Sequence, residues 1–157
     1  MQSKRWPLER YREVLRRLID THGVLPVFFG GGEDRNSADQ MIAELGRGLN
    51  ACGQLSLRGA ARALQDCQFY LGNDTGTMHL AVAAGLKCVA IFPARANPAK
   101  WSPHGEGHIV HRVPVDCEGC MLLECYEQGL KCLKKISADE IYASCVRVDG
   151  GWMEDGG

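Results

Sequence analysis

Asp74, Thr75, Gly76, Thr77 and His79 lie close together in the stretch Gly72-Asn73-Asp74-Thr75-Gly76-Thr77-Met78-His79-Leu80-Ala81. An apolar run, Phe69-Tyr70-Leu71-Gly72, reads as the strand before it, and Met78 to Ala84 reads as the helix after it. A strand that turns directly into a helix presents free backbone N–H groups and the positive end of the helix dipole, a ready place for phosphate. Gly76 allows close approach of the backbone to a ligand. Thr75 and Thr77 add hydroxyls, and the His79 ring can reach the same anion from the first helical turn. Asp74 repels phosphate, so its expected tasks are to cap the helix, orient His79 or accept a sugar hydroxyl. Spacing alone leaves a plain helix cap with a surface histidine as an equal reading. Asp-Thr-Gly also occurs in aspartic proteases, but that chemistry needs a second such loop in a β-rich chain, and this sequence offers neither.

A second unusual loop is Gly30-Gly31-Gly32-Glu33-Asp34, directly after the apolar run Val24 to Phe29. Three glycines permit close backbone approach, and Glu33 can accept hydrogen bonds from ribose hydroxyls. The loop lacks the third glycine of the dinucleotide fingerprint, and a simple turn explains it as well.

The elements around these loops alternate. A helix is expected from Pro7 to His22, with Tyr11, Val14, Leu15, Leu18 and Ile19 on one face, arginines mostly on the other, and Gly23 to end it. Val24 to Phe29 is a probable strand weakened by Pro26. Helices are expected over Ala38 to Leu45 and over Leu57 to Gln65, the latter turning Leu57, Ala60, Ala61 and Leu64 inward. Leu49 to Cys52 and His108 to Val113 are candidate strands. Cys88 to Phe92 is a near-continuous apolar strand of the kind covered on both faces. Ser137 to Glu140 forms a capping box that opens a last helix carrying Ile141, Ala143, Ser144 and Cys145 inward. This order predicts an α/β layered domain with a mostly parallel sheet over residues 1–148, and a frayed, glycine-rich tail over 149–157. In such sheets, ligands bind beyond the carboxyl ends of the strands, where both loops lie.

Composition bounds the rest. The 157 residues suffice for one domain with a real core. A formal net charge of -1 argues against a broad grip on nucleic acid or anionic membrane. Arg10, Arg12, Arg16 and Arg17 read as a solvated helix face. No apolar run reaches the roughly 18 residues of a spanning helix, and the N-terminus lacks the apolar core of a secretory signal. These features predict a cytoplasmic chain, with peripheral attachment to the inner membrane left open.

Taken in order, Ser3-Lys4-Arg5-Trp6-Pro7-Leu8-Glu9, Gly30-Gly31-Gly32-Glu33, Leu55-Ser56-Leu57 and Gly72 to Ala81 resemble the C-terminal half of the heptosyltransferases, the family 9 glycosyltransferases of lipopolysaccharide core synthesis. The resemblance runs from about Ser3 to Ser137, and Asp-Thr-Gly-x-x-His is its most specific part. It implies the Rossmann-like C-terminal lobe of a two-lobed (GT-B) enzyme that binds a nucleotide-sugar donor, typically ADP-heptose. By position, Lys4 is implied at the donor phosphate or sugar, Glu33 at the ribose and the backbone near Leu55 at the base. Asp74, Thr75, Gly76 and His79 are implied at the diphosphate and sugar. No catalytic residue is expected in this lobe, because the family's general base and its lipopolysaccharide-type acceptor site belong to an N-terminal lobe not represented here. The isolated lobe is expected to bind donor weakly and to transfer little. The alternative is a stand-alone nucleotide-binding or zinc-binding module. One departure concerns the sugar: relatives follow the Phe92 strand with Gly-Pro-Thr, whereas this chain reads Pro93-Ala94-Arg95-Ala96-Asn97-Pro98.

The chain has eight cysteines. Cys52, Cys67, Cys88 and Cys145 sit singly in apolar segments, as buried free thiols do. Cys117, Cys120, Cys125 and Cys132 cluster within segment 117–132. Cys-x-x-Cys is one half of a zinc knuckle, but six residues separate Cys125 from Cys132. Reduced structural thiols, a structural zinc or iron–sulfur site, and disulfides all remain open. No cofactor is required by the implied chemistry, and no catalytic role is assigned to the cluster.

Overall fold

In a computed structural model, residues 1–97, 100–148 and 150 are described; the expected tail lies outside them apart from Gly150. The helices are α1 (Leu8–His22), α2 (Arg35–Leu45), α3 (Leu57–Leu64), α4 (Gly76–Ala83), α5 (Lys131–Lys134) and α6 (Ala138–Val148). The strands are β1 (Val27–Phe28), β2 (Leu49–Asn50), β3 (Phe69–Asn73), β4 (Lys87–Ile91) and β5 (Ile109–His111). All strand pairings are parallel, in two sheets rather than the single one expected: β1 beside β2, and β3-β4-β5 with β4 central. This is the α/β layered domain that the alternation predicts, with the Rossmann-like character that the resemblance implies.

β4 shows why the layers form. Val89 and Ile91 point into a cluster with Val14 and Leu18 of α1, Leu133 of α5, Ile141 of α6, and Trp6 and Ile136 from the segments that precede α1 and α6. Cys88 and Ala90 point the opposite way, against Leu64, Met78 and Ala81 of α3 and α4. A strand covered on both faces cannot alternate polar and apolar residues, and this one does not. Burial also holds the Cys88 thiol at about 11 and the Cys145 thiol at about 12, which makes both inert.

Several expectations shift. β1 shrinks to Val27–Phe28: Leu49 N–H donates to the Pro26 carbonyl at 2.8 Å, but proline has no N–H with which to extend the ladder. β2 and β5 are likewise shorter than expected, and α2 starts at Arg35 rather than Ala38. α4 begins at Gly76, two residues early, because Gly76 and Thr77 already belong to its first turn. Leu57 was expected inward but is 74% exposed; with only Leu64 of α3 fully buried, the helix packs by its far end. In α6 the buried stripe runs through Ala138, Ile141, Ser144 and Cys145, with Ala143 exposed. The short helix α5 falls in the cysteine segment, where no helix was foreseen. The capping box stands as expected: Ser137 N–H donates to Glu140 Oε2 at 2.8 Å, and Glu140 N–H donates to Ser137 Oγ at 3.2 Å. No described helix is long and apolar enough to cross a membrane.

Candidate functional site: a cleft at the start of helix α4

The carboxyl ends of β1 and β2 and the starts of α3 and α4 surround a cleft of about 200 Å³, walled by Gly30, Ala51, Leu55, Leu57, Gly76 and Thr77 among others. The exposure of Leu57 thus has a place: one end of the cleft is apolar, between Leu55 and Leu57, and the other is backbone at the helix start. Gly53 lets the two loops meet. Its φ is +68°, its N–H donates to the Gly30 carbonyl at 3.0 Å, and a Cβ there would lie 2.8 Å from Gly32 Cα. Gly76 is different in kind: an added Cβ meets nothing within 4 Å, because the space beside it is open.

Thr75 is the N-cap of α4, in extended conformation and without a side-chain cap. The first intrahelical bonds run from Met78 and His79 N–H to the Thr75 carbonyl, so the N–H groups of Gly76 and Thr77 lie ahead of the hydrogen-bonded ladder. Together with the dipole they form a partial positive charge at the cleft wall. Thr75 Oγ1 lies 3.5 Å from Tyr70 Oη, whose pKa is pushed up to about 12, chiefly by burial.

Asp74 does not cap the helix. Its buried carboxylate is paired with Lys4, whose Nζ donates to Asp74 Oδ2 at 2.5 Å and to the Asp74 carbonyl at 3.3 Å. The preceding residue fixes the same junction. Asn73 Oδ1 accepts from Trp6 N–H at 3.2 Å and from Tyr11 Oη at 2.9 Å. Burial raises the Tyr11 pKa well above its ordinary value, so this hydroxyl acts as a neutral donor. Trp6 is itself buried, with its Nε1–H donating to the Ile136 carbonyl at 3.1 Å. The Ser3-to-Glu9 motif and the β3–α4 junction, remote in sequence, are therefore one unit.

The residues expected at the site separate into groups. Leu55 and Gly76 line the cleft, and Thr75 is exposed beside it. Lys4 and Asp74 form the pair just described. His79 is exposed, with its ring edge-on to Trp101 at 6.3 Å between centroids. Glu33 lies in the exposed 3-10 turn Gly32–Asp34 and is not among the residues of the cleft wall. Tyr11 and Trp101 were not read from the sequence as parts of this region, and Leu57 was read as facing the core; Asn73 and Thr77 were read within the loop, and Thr77 lines the cleft. The contacts of Tyr11 and Trp101 are long-range, and only the neighbourhood of Asn73 to Asp74 gave a local hint.

Cys117, Cys120, Cys125 and Cys132 do come together, around a void of about 10 Å³ that Ser3, Arg95 and Lys131 also line. All eight thiols are free, and among the described residues no group of three or more His, Cys, Asp or Glu side chains is arranged to hold a metal ion. The segment is tied down in other ways. Arg95 is buried and donates from Nε to the Leu122 carbonyl and from a terminal nitrogen to the Met121 carbonyl, both at 2.8 Å. Ser3 Oγ donates to the Leu122 carbonyl at 2.7 Å. The part of the departing loop that carries Arg95 thus clamps the cysteine segment.

The family model for glycosyltransferase family 9 (heptosyltransferase) matches residues 1–131. Lipooligosaccharide heptosyltransferase 2 of Campylobacter jejuni is 25% identical over 145 residues, 88% of this chain and 44% of that protein. Lipopolysaccharide heptosyltransferase 2 of Escherichia coli is 32% identical over 95 residues, 57% of this chain and 27% of that protein. Among solved structures, E. coli ADP-heptose LPS heptosyltransferase II superposes with a TM-score of 0.76 at 24% identity, covering 93% of this chain and 42% of that one. A glycosyl transferase family 9 protein of Veillonella parvula gives 0.75 at 26% identity, covering 94% and 42%. The chain spans less than half the length of these relatives. It belongs to glycosyltransferase family 9, the heptosyltransferase family.

Proposed function

We propose that this chain is the donor-binding half of a glycosyltransferase of lipopolysaccharide biosynthesis, one that transfers a sugar, heptose by analogy with its relatives, from a nucleoside diphosphate. The observation that carries the reading is the cleft that runs from the Leu55–Leu57 wall to the free N–H groups of Gly76 and Thr77. An apolar end suits a base and a helix start suits a diphosphate, and the distance between them is bridged by one small cavity. In transfer, negative charge grows on the departing nucleoside diphosphate. Preorganised N–H donors stabilise that charge without reorganisation, and Lys4 adds positive charge nearby. Lys4 acts here chiefly by fixing Asp74, which leaves Asp74 to accept a donor hydroxyl and His79 to face the sugar side. The acceptor and the base that deprotonates it belong to the part of the relatives that this chain does not span. This lobe alone therefore binds donor and transfers little.

Gly76→Val tests the site with little cost to folding, since the new side chain enters open space. Titration calorimetry should show ADP and ADP-heptose binding to the native chain, and a loss of about tenfold or more in the variant at unchanged melting temperature. Equal affinity in both proteins, or no binding to the native chain, overturns the assignment.

A further inference from the structure

We infer that Trp101 is a sugar-contacting residue of the donor site, an indole platform on which the transferred sugar ring stacks beside His79. The inference rests on the donor-site reading above and concerns only its sugar end. The chain's other described tryptophan, Trp6, is 1% exposed with its indole N–H satisfied, whereas Trp101 is 49% exposed. Its position is set from both sides. Upstream, Phe92 to Arg95 are buried beyond the carboxyl end of β4. Downstream, Pro103 is buried, Lys87 Nζ donates to the Glu106 carbonyl at 2.7 Å, and the His108 ring accepts from Cys88 N–H at 3.1 Å. The loop between these anchors brings the indole edge-on to His79, in the first turn of α4, at 6.3 Å. Lys100 Nζ lies 5.7 Å from the indole centroid, within range of a cation–π contact.

A half-exposed indole is common on surfaces and by itself means nothing. This one stands against His79, in the same first turn of α4 that begins with the cleft residues Gly76 and Thr77. The arrangement puts a flat apolar face next to an imidazole and an ammonium. A pyranose ring needs that combination: its C–H face packs on the aromatic surface while its hydroxyls find polar partners at the rim. In the loop after β4, Arg95 is turned inward to the cysteine segment.

The test compares ADP with ADP-heptose by calorimetry on the native chain, Trp101→Ala and Trp101→Phe. Native protein should bind ADP-heptose more tightly than ADP. Trp101→Ala should weaken ADP-heptose by about tenfold and leave ADP within about twofold, with Trp101→Phe close to native. Indole fluorescence should respond to ADP-heptose more than to ADP, and this response should vanish in Trp101→Phe. Equal loss for both ligands, or unchanged ADP-heptose affinity, overturns the role of Trp101 while the donor site stands. If the native chain binds neither ligand, the donor-site reading fails, and the inference falls with it.

Discussion

At the scale of single residues, the Lys4–Asp74 pair decides the shape of the β3–α4 junction. Both side chains are largely shielded, at 23% and 10% exposure, so removing one partner strands the other in a poorly solvated place. Lys4→Met should destabilise the chain by about 1–3 kcal/mol in denaturant titration. The double variant Lys4→Met/Asp74→Asn should recover most of that loss. If the two substitutions were simply additive, the pair would not be coupled. Capping the helix was one of three tasks read for Asp74 from sequence, because Asp before a helix usually is a cap. Its partner lay 70 positions away, and no local pattern could have revealed it.

Elements carry the next level. α6 depends on a reciprocal cap in which Ser137 and Glu140 satisfy each other's backbone donors. The Glu140 carboxyl is held below its usual range first by the Ser137 hydroxyl, which donates to Oε2 at 2.7 Å, and then by the Ser137 N–H. Ser137→Ala should therefore cost about 1 kcal/mol, read as a lower denaturation midpoint with an unchanged slope. This helix was legible beforehand because a capping box is a local signal. α3 was half legible: Ser56 caps it by accepting from Gly59 N–H at 3.1 Å, and its span agrees, but Leu57 faces the cleft rather than the core. Helical periodicity marks a stripe of apolar residues without saying whether each meets core or cavity.

For the whole molecule, stability near neutral pH hinges on how β5 meets α6. His111 Nε2 and Ser144 Oγ lie 2.8 Å apart, and burial is the main reason the His111 pKa falls below its ordinary 6.5. Between the lowered value and 6.5 the unfolded chain binds more protons than the folded one, so stability rises with pH. The melting temperature should begin to fall as pH drops through 6.5 and level off below the folded-state pKa. His111→Gln should flatten that slope. A native chain whose melting temperature is constant from pH 7 to pH 5.5 would contradict the assignment.

Local pattern determined much of this protein. Alternating apolar runs and amphipathic stretches specified parallel strands between helices, since periodicity follows directly from which faces are buried. The glycines and threonines after β3 marked the helix start as a candidate anion site, level with a plain cap, because free N–H groups there are a property of any helix end. Tertiary structure decided what those features serve. It brought Lys4, Trp6 and Tyr11 onto Asn73 and Asp74, opened a cavity between Leu57 and Gly76, gathered four cysteines around one void, and set Trp101 against His79. Each of these joins segments distant along the chain, and such contacts depend on how layers pack rather than on any residue's neighbours in sequence.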